Sequence, residues 1–166
     1  MAKLEVFFDY ACPYCLRAYE YLMALLPQHP DIEVVWRPCE AHPRPETYGP
    51  HTDLCVRGMF YARDHGVNLE AYHQRIFAAA LTKREDIEDP EVIAKNVSTL
   101  MDADALATAL REGAYEAELA KANAYAYEES GVWAVPAYRM GDRKLDAVEN
   151  VGVKKSQLQA FLDGVE

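Results

Sequence analysis

The sequence predicts an α/β domain that is interrupted by a helical insertion. Short runs of β-branched and aromatic residues stand near both ends of the chain, and a strand–helix–strand pattern fills residues 1–38. Between them lies a long stretch in which apolar residues recur at helical spacing. The chain has 166 residues, of which 51% are hydrophobic and 27% charged, so one well-packed globular protein is expected and wholesale disorder is excluded.

The first third of the chain predicts a βαβ unit. Leu4–Phe8 is an apolar, aromatic run typical of a strand that is buried on both faces. Cys12-Pro13-Tyr14-Cys15 then opens a helix, because proline suits the first helical position, and Pro27 ends that helix. The β-branched run Ile32–Trp36 predicts the second strand, parallel to the first, with a right-handed crossover.

The middle of the chain predicts a block of helices after a proline-rich loop, which is marked by Pro38, Pro43, Pro45 and Pro50. Capping residues, glycines and one Asp-Pro pair mark where each helix begins or ends. The expected helices run from Asp53 to about Gly66, Asn68 to about Lys83, Asp89 to about Leu100, Asp102 to Glu112 and Ala114 to Ser130.

The tail returns to strand signals. Pro136–Met140 and Leu145–Val148 predict a hairpin around Gly141-Asp142, and Lys154–Leu162 predicts a closing helix. The order is therefore βαβ, a helical block, then ββα. Without the block this is a thioredoxin-like topology, so residues 1–51 and 131–166 are predicted to form a thioredoxin-like core and residues 52–130 a helical insertion.

The charge of the chain limits the classes of partner that are expected. It has 17 Lys and Arg against 27 Asp and Glu, a formal net charge of −10. Such a surface repels phosphate backbones and anionic lipids, so neither a nucleic acid nor a membrane is expected as a partner. The N-terminus shows no signal-peptide pattern, which predicts a cytoplasmic protein. A monomer and a homodimer are both compatible with the sequence.

The pair Cys12 and Cys15 is the strongest chemical signal. The start of a helix stabilises a thiolate, which is the nucleophile of disulfide exchange, so the pKa of Cys12 is expected below the free value of about 8.5. Half of a zinc site and two buried core thiols are the alternatives, and zinc needs two further ligands. Cys39 and Cys55 are separated by the proline loop, and the five histidines form no HxxxH pattern. Redox chemistry without a metal is therefore favoured.

A second signal, Val135-Pro136 directly before the hairpin, allows a family resemblance to be stated. With the strand–CPYC–helix start and the helical block, nearly the whole chain resembles the DsbA-like branch of the thioredoxin superfamily. The resemblance implies a thiol–disulfide oxidoreductase with a cis Val135–Pro136 bond against the cysteine pair. It implies that Cys12 attacks and Cys15 resolves, that Pro13 and Tyr14 tune the thiolate, and that Val135 pairs with the substrate backbone.

The chain departs from the family in two respects. Secreted members of the family begin with a leader, and no such pattern is seen here. Relatives tend to carry a buried carboxylate six residues before the first cysteine, where this chain has Val6. Asp9 is a candidate substitute as proton acceptor, and a solvated loop carboxylate or a helix cap is the alternative.

The resemblance also defines the partners and the competing functions. A protein or peptide disulfide or dithiol, or a small thiol, is the expected partner. No cofactor is expected beyond the redox-active Cys12–Cys15 disulfide, with glutathione or another low-molecular-weight thiol as a candidate co-substrate. The alternative enzyme is a glutathione-dependent isomerase or transferase, similar to 2-hydroxychromene-2-carboxylate isomerases and kappa-class transferases, which generally lack the second cysteine. A non-catalytic binding module with a vestigial motif is a third possibility.

Two expectations concern residues outside the motif. Cys39 and Cys55 either form a disulfide that pins the proline loop or stay as free thiols, and a reducing compartment favours free thiols. Phe60, Tyr61 and Phe77 either add apolar contacts for a peptide substrate or belong to the core of the insertion.

Overall fold

The computed structural model describes residues 1–165 and divides the chain into two compact units. The first unit consists of Met1–Ala41 together with the chain from Ala124 onward, and the second unit is His42–Asn123. The sequence-based boundaries stood at residues 52 and 130. The proline-rich loop therefore belongs to the second unit, and the segment Tyr125–Glu129 belongs to the first. None of the helices in residues 1–165 is both long and apolar enough to cross a membrane.

A four-stranded sheet forms the centre of the first unit. Its strands are β1 (Ala2–Phe8), β2 (Ile32–Pro38), β3 (Ala137–Met140) and β4 (Arg143–Asp146), in the order β2-β1-β3-β4. Strand β1 runs parallel to β2 and antiparallel to β3, and β3 forms the hairpin with β4. Because β1 is central, its apolar side chains are buried on both faces, with Leu4 and Phe7 inaccessible to solvent.

Two helices complete the first unit. Helix α1 (Pro13–Leu25) follows β1, and the last helix, Lys155–Asp163, closes the chain and packs against α1. Leu22 of α1 and Leu158 of the last helix are fully buried, so both helices contribute an apolar face to the core. The side chain of Phe7 lies on the other face of the sheet, where its ring stacks on Tyr125.

The second unit contains the helical block. Its helices are α2 (Asp53–Asp64), α3 (Leu69–Phe77), α4 (Pro90–Asn96), α5 (Ala103–Arg111) and α6 (Glu116–Ala124). Helix α6 ends at the boundary with the first unit. The closing helix Lys155–Asp163 of the first unit is therefore α7. Asn68 and Asp89 cap their helices with side-chain oxygens, as their positions predicted, and Asp102 caps α5 in the same way.

Several details of the helical block differ from the sequence-based expectation. Helix α3 ends at Phe77 rather than near Lys83, because a π-helical turn, Ala78–Thr82, follows it. Thr52, rather than Asp53, is the N-cap of α2. Helix α4 ends at Asn96 instead of near Leu100. The expected helix Ala114–Ser130 is not continuous, because α6 ends at Ala124 and the chain continues as a π-helical turn, Tyr125–Glu129. Wide turns of this kind change which side chains face the neighbouring element, and residue spacing alone does not reveal them.

The aromatic residues of the insertion are mostly core residues. Phe60 and Phe77 are buried within the second unit, with 4% and 1% of their surface exposed. Tyr61 is half-buried, and its ring stacks on His65 one helical turn later. The structure therefore favours the core interpretation for Phe60 and Phe77.

Gly58 in the middle of α2 predicts a strong steric effect. A Cβ at this position would meet the hydroxyl oxygen of Tyr72, which is fully buried and donates to the carbonyl of Cys55 at 2.6 Å. Gly58→Ala should therefore lower the free energy of unfolding by about 1–3 kcal/mol, measured by urea denaturation, although alanine is the better helix former.

The double variant Gly58→Ala/Tyr72→Phe tests the cause of this effect. Removing the hydroxyl oxygen takes away the contacting atom, and the next atom of the ring is already 3.4 Å from the new methyl group. The two changes together should then cost less than the sum of the single changes. Additive costs would contradict the steric explanation.

Candidate active site around Cys12 and Cys15

The first cysteine is the N-cap of helix α1. Strand β1 ends at Phe8, and the backbone of Cys12 has extended torsion angles of −98° and 115° before Pro13 begins the helix. Cys12 Sγ accepts a hydrogen bond from the backbone N–H of Cys15 at 3.3 Å. The sulfur thus shares this N–H of the first turn with the carbonyl oxygen of Cys12, which accepts from it at 3.0 Å, and it stands in the place where serine or aspartate usually caps a helix.

The second cysteine lies inside the fold. Cys15 exposes 1% of its surface, and its Sγ accepts from the backbone N–H of Asp9 at 3.5 Å. Cys12 is partly exposed by comparison. The site therefore presents one accessible sulfur and one buried sulfur.

The surroundings shift the two thiol pKa values in opposite directions. The pKa of Cys12 is lowered, chiefly because the Cys15 thiol donates to its sulfur and with help from the Cys15 backbone N–H, while burial and the charge of Asp9 oppose the shift. The pKa of Cys15 is raised well above its usual value, first by burial and then by the hydrogen bond and charge of Cys12. Cys12 is consequently the thiol that ionises first.

The loop before β3 lies against the exposed sulfur. The peptide bond between Val135 and Pro136 is cis, and the thiol of Cys12 donates to the carbonyl oxygen of Val135 at 4.0 Å. Pairing of Phe7 with Ala137 in neighbouring strands brings this loop to the end of β1, where the cysteine motif begins. Two further cis bonds, Arg44–Pro45 and Gly49–Pro50, lie in the proline-rich loop and were not expected from the sequence.

Asp9 is a buried carboxylate that holds the loop between β1 and α1. It is 5% exposed, and its two oxygens accept from the backbone N–H groups of Ala11 at 3.0 Å and Ala41 at 2.8 Å. Asp9 is therefore not a solvated loop carboxylate, which was one alternative that its position in the sequence allowed. Its negative charge raises the pKa of both Cys12 and Cys15.

Tyr14 is held by a turn far along the chain. Its hydroxyl group donates to the carbonyl oxygen of Asn150 at 2.9 Å, and its ring covers Gly152. Gly152 has a φ of +85°, and a Cβ there would lie 3.0 Å from Cδ1 of Tyr14. The turn Val148–Gly152, closed by reciprocal backbone hydrogen bonds between its ends, therefore fixes the middle of the cysteine motif. No motif in the sequence signalled this contact.

Within residues 1–165 the remaining two cysteines are buried and form no disulfide. Cys39 follows β2 in the first unit, and Cys55 lies in α2 of the second unit. Burial raises the pKa of Cys39 to about 12. In the part of the chain that the structure describes, no three His, Cys, Asp or Glu side chains are grouped so that they could hold a metal ion.

Two polar residues near the site, Glu40 and Tyr127, were not predicted from the sequence. Glu40 is a buried residue directly after Cys39, and its carbonyl oxygen accepts from the hydroxyl group of Tyr127 at 2.6 Å. A glutamate after the β2 strand looks like a loop residue in the sequence, and the π-helical turn that directs Tyr127 inward is not visible there.

Fold and site together define a thioredoxin-like protein with a paired-cysteine motif at the start of a helix. Residues 3–163 match the model of the DSBA-like thioredoxin domain, so the chain belongs to this family. Membership of this family supports an oxidoreductase function for the chain.

Individual proteins are similar to this chain in sequence or in fold. The chain is 26% identical to the uncharacterized protein YwbO of Bacillus subtilis (strain 168), over 84% of this chain and 86% of the relative. A probable DsbA oxidoreductase from Streptomyces coelicolor has a similar fold, with a TM-score of 0.78, 15% identity and coverage of 100% of this chain and 92% of that one. A thioredoxin-like oxidoreductase from Silicibacter pomeroyi DSS-3 gives a TM-score of 0.73 at 23% identity, covering 98% and 85% of the two chains.

Proposed function

We propose that this protein is a thiol–disulfide oxidoreductase in which Cys12 and Cys15 form the redox pair. The observation that carries the proposal is the asymmetry of the pair. One accessible sulfur caps a helix and has a lowered pKa, while its buried partner has a raised pKa. Disulfide exchange needs this combination, because a thiolate must be available for attack and a second thiol must be held in reserve.

The exchange has two steps when the reduced protein acts on a disulfide. The Cys12 thiolate attacks one sulfur of the substrate disulfide, the substrate S–S bond breaks, and its other sulfur leaves as a thiolate. Cys15 then loses its proton to solvent and attacks Cys12 Sγ. The mixed disulfide breaks, the second substrate sulfur leaves, and the Cys12–Cys15 disulfide remains. The reverse sequence oxidises a substrate dithiol.

Val135 and Pro136 are proposed to hold the substrate beside Cys12. The carbonyl oxygen of Val135 lies 4.0 Å from the exposed sulfur of Cys12. An extended peptide that brings its cysteine to Cys12 can donate a backbone hydrogen bond to this oxygen, in the manner of strand addition. A protein or peptide is the proposed substrate, and glutathione or a similar thiol the proposed co-substrate.

Cys15 argues against the alternative of a glutathione-dependent isomerase or transferase. An enzyme that only activates bound glutathione needs one polar group at the helix start, whereas a buried second thiol would resolve any mixed disulfide formed on Cys12. Incubation of the protein in glutathione buffers of graded ratio, followed by acid quench and mass measurement, distinguishes these functions. Reversible formation of the Cys12–Cys15 disulfide supports the oxidoreductase, and a pair that stays reduced at every ratio contradicts it.

The pH dependence of Cys12 alkylation tests the mechanism directly. Iodoacetamide should modify Cys12 faster than the other thiols, and the rate should reach its plateau at a lower pH than for free cysteine, because the folded protein lowers the pKa of Cys12. Peptide mapping identifies the modified residue. Unfolded protein in urea is the control and should titrate as ordinary cysteine. Preferential modification of Cys15, or a plateau at the pH of the unfolded control, would refute the proposed roles.

A further inference from the structure

One peptide group connects the resolving cysteine with a third cysteine. The N–H of Asp9 donates to Cys15 Sγ at 3.5 Å. The carbonyl oxygen of the same peptide group belongs to Phe8, and it accepts from the backbone N–H of Cys39 at 2.9 Å and from Cys39 Sγ at 3.7 Å. The two sulfurs therefore lie at opposite ends of the Phe8–Asp9 peptide group.

Cys39 is held as a proton donor in this arrangement. Its side chain is fully buried in a cluster with Phe7, Ala126, Val132 and Ala137, and burial raises its pKa to about 12. The neighbouring Tyr127 hydroxyl group donates to the carbonyl oxygen of Glu40 at 2.6 Å, and its interaction with the Cys39 sulfur lowers the pKa of Cys39 by less than burial raises it. The thiol hydrogen of Cys39 thus stays on its sulfur through the physiological pH range and is directed to the Phe8 carbonyl.

Hydrogen bonds on the two sides of a peptide group strengthen each other. A donor at the carbonyl oxygen draws electron density from the N–H, and that N–H becomes the better donor, most of all toward an anionic acceptor. Charge develops on Cys15 Sγ when Cys15 loses its proton to attack the mixed disulfide. The hydrogen bond from the Asp9 N–H stabilises this thiolate more than it stabilises the neutral thiol.

We propose that Cys39 is a positioning residue for the resolving step, acting on Cys15 through the Phe8–Asp9 peptide group. The inference rests on the proposed function, since it concerns the second step of the exchange. Cys39 forms no bond with substrate in this role and is not oxidised. It stabilises the Cys15 thiolate that attacks Cys12 Sγ.

A stopped-flow reaction with 5,5′-dithiobis(2-nitrobenzoate) isolates this step. Attack of Cys12 on the reagent releases one thionitrobenzoate and leaves a second on Cys12. Attack of Cys15 on Cys12 Sγ then breaks that bond, forms the Cys12–Cys15 disulfide and releases the second thionitrobenzoate. The rate of the second phase against pH reports the ionisation of Cys15 in the mixed disulfide.

Cys39→Ala and Cys39→Ser form a matched pair, because they remove the same sulfur and differ in one hydroxyl group. Cys39→Ala should slow the second phase by about twofold to fivefold at neutral pH and move its pH profile upward, as the loss of one weakly coupled donor predicts. Cys39→Ser keeps a donor and should resolve at least as fast as wild type. Cys55→Ala removes a buried thiol of the second unit and should leave the second phase unchanged.

The outcomes separate this inference from the proposed function. Equal second-phase rates in Cys39→Ala and Cys39→Ser overturn the role of Cys39, and so does equal slowing in Cys55→Ala. If Cys39→Ala does not fold, Cys39→Val supplies a variant without a donor and with a filled core. A wild-type protein that shows no second phase contradicts the proposed function itself. In that case the pKa of Cys15, followed by NMR of 13Cβ-labelled cysteine, must still be higher in the alanine variant than in the serine variant, and equal values overturn the inference.

Discussion

Cys12→Ser should abolish disulfide exchange, and Cys15→Ser should trap a mixed disulfide between Cys12 and its substrate. A serine hydroxyl is not ionised at neutral pH, so the first variant has no nucleophile at the exposed position and the rate should fall by several orders of magnitude. The second variant keeps the activated Cys12 but lacks the resolving thiol. Incubation with a peptide disulfide, acid quench and non-reducing mass measurement should show the adduct only in Cys15→Ser.

Cys55→Ser is the matched control for this pair, because it replaces a buried cysteine of the second unit. It should exchange disulfides as fast as wild type. An adduct that accumulates in Cys12→Ser instead of Cys15→Ser would reverse the roles of the two thiols. Full activity in either variant would contradict a mechanism with two cysteines.

Asp9→Asn should lower the pKa of both active-site thiols and destabilise the protein at the same time. The charge of Asp9 raises the pKa of Cys12 and Cys15, so its removal makes both thiolates easier to form. The side chain is 5% exposed, and each of its oxygens receives a backbone N–H. Asparagine would set its own NH2 group against one of these donors, at a cost of about 1–3 kcal/mol for the unpaired group.

Two measurements test the two parts of this prediction. Alkylation against pH follows the thiols, and urea denaturation of the reduced protein follows its stability. Asp142→Asn makes the same change in net charge at an exposed position in the turn between β3 and β4 and should alter neither quantity. Unchanged thiol titration in Asp9→Asn would show that its carboxylate does not act on the cysteines. Slower attack of Cys15 on the mixed disulfide, in spite of its lower pKa, would support the role of proton acceptor.

The sequence predicted much of the fold because the relevant signals are local. Leu4–Phe8, the Cys12-Pro13 helix start and the Gly141-Asp142 turn are each recognised from a few adjacent residues, and strand pairing follows from their order. Asn68 and Asp89 likewise cap their helices through short-range hydrogen bonds. Such signals depend little on the rest of the chain.

The missed features depend on contacts between distant segments. Ala41 donates to Asp9, Asn150 accepts from Tyr14, and Tyr127 donates to Glu40, and each pair is separated by many residues. The sequence identified Cys12 and Cys15 but could not show that Asp9 is buried. Its burial depends on the fold around the loop and not on its neighbours in sequence.

The contact between Tyr14 and Gly152 has a consequence for engineering the cysteine motif. Libraries that vary only the two residues between the cysteines would sample side chains against a surface already shaped for one tyrosine ring. A smaller residue at position 14 leaves a gap over the turn, and any side chain at position 152 intrudes on the tyrosine. The two positions therefore form a single design unit, and variants with an altered motif should be sought by randomising positions 14 and 152 together.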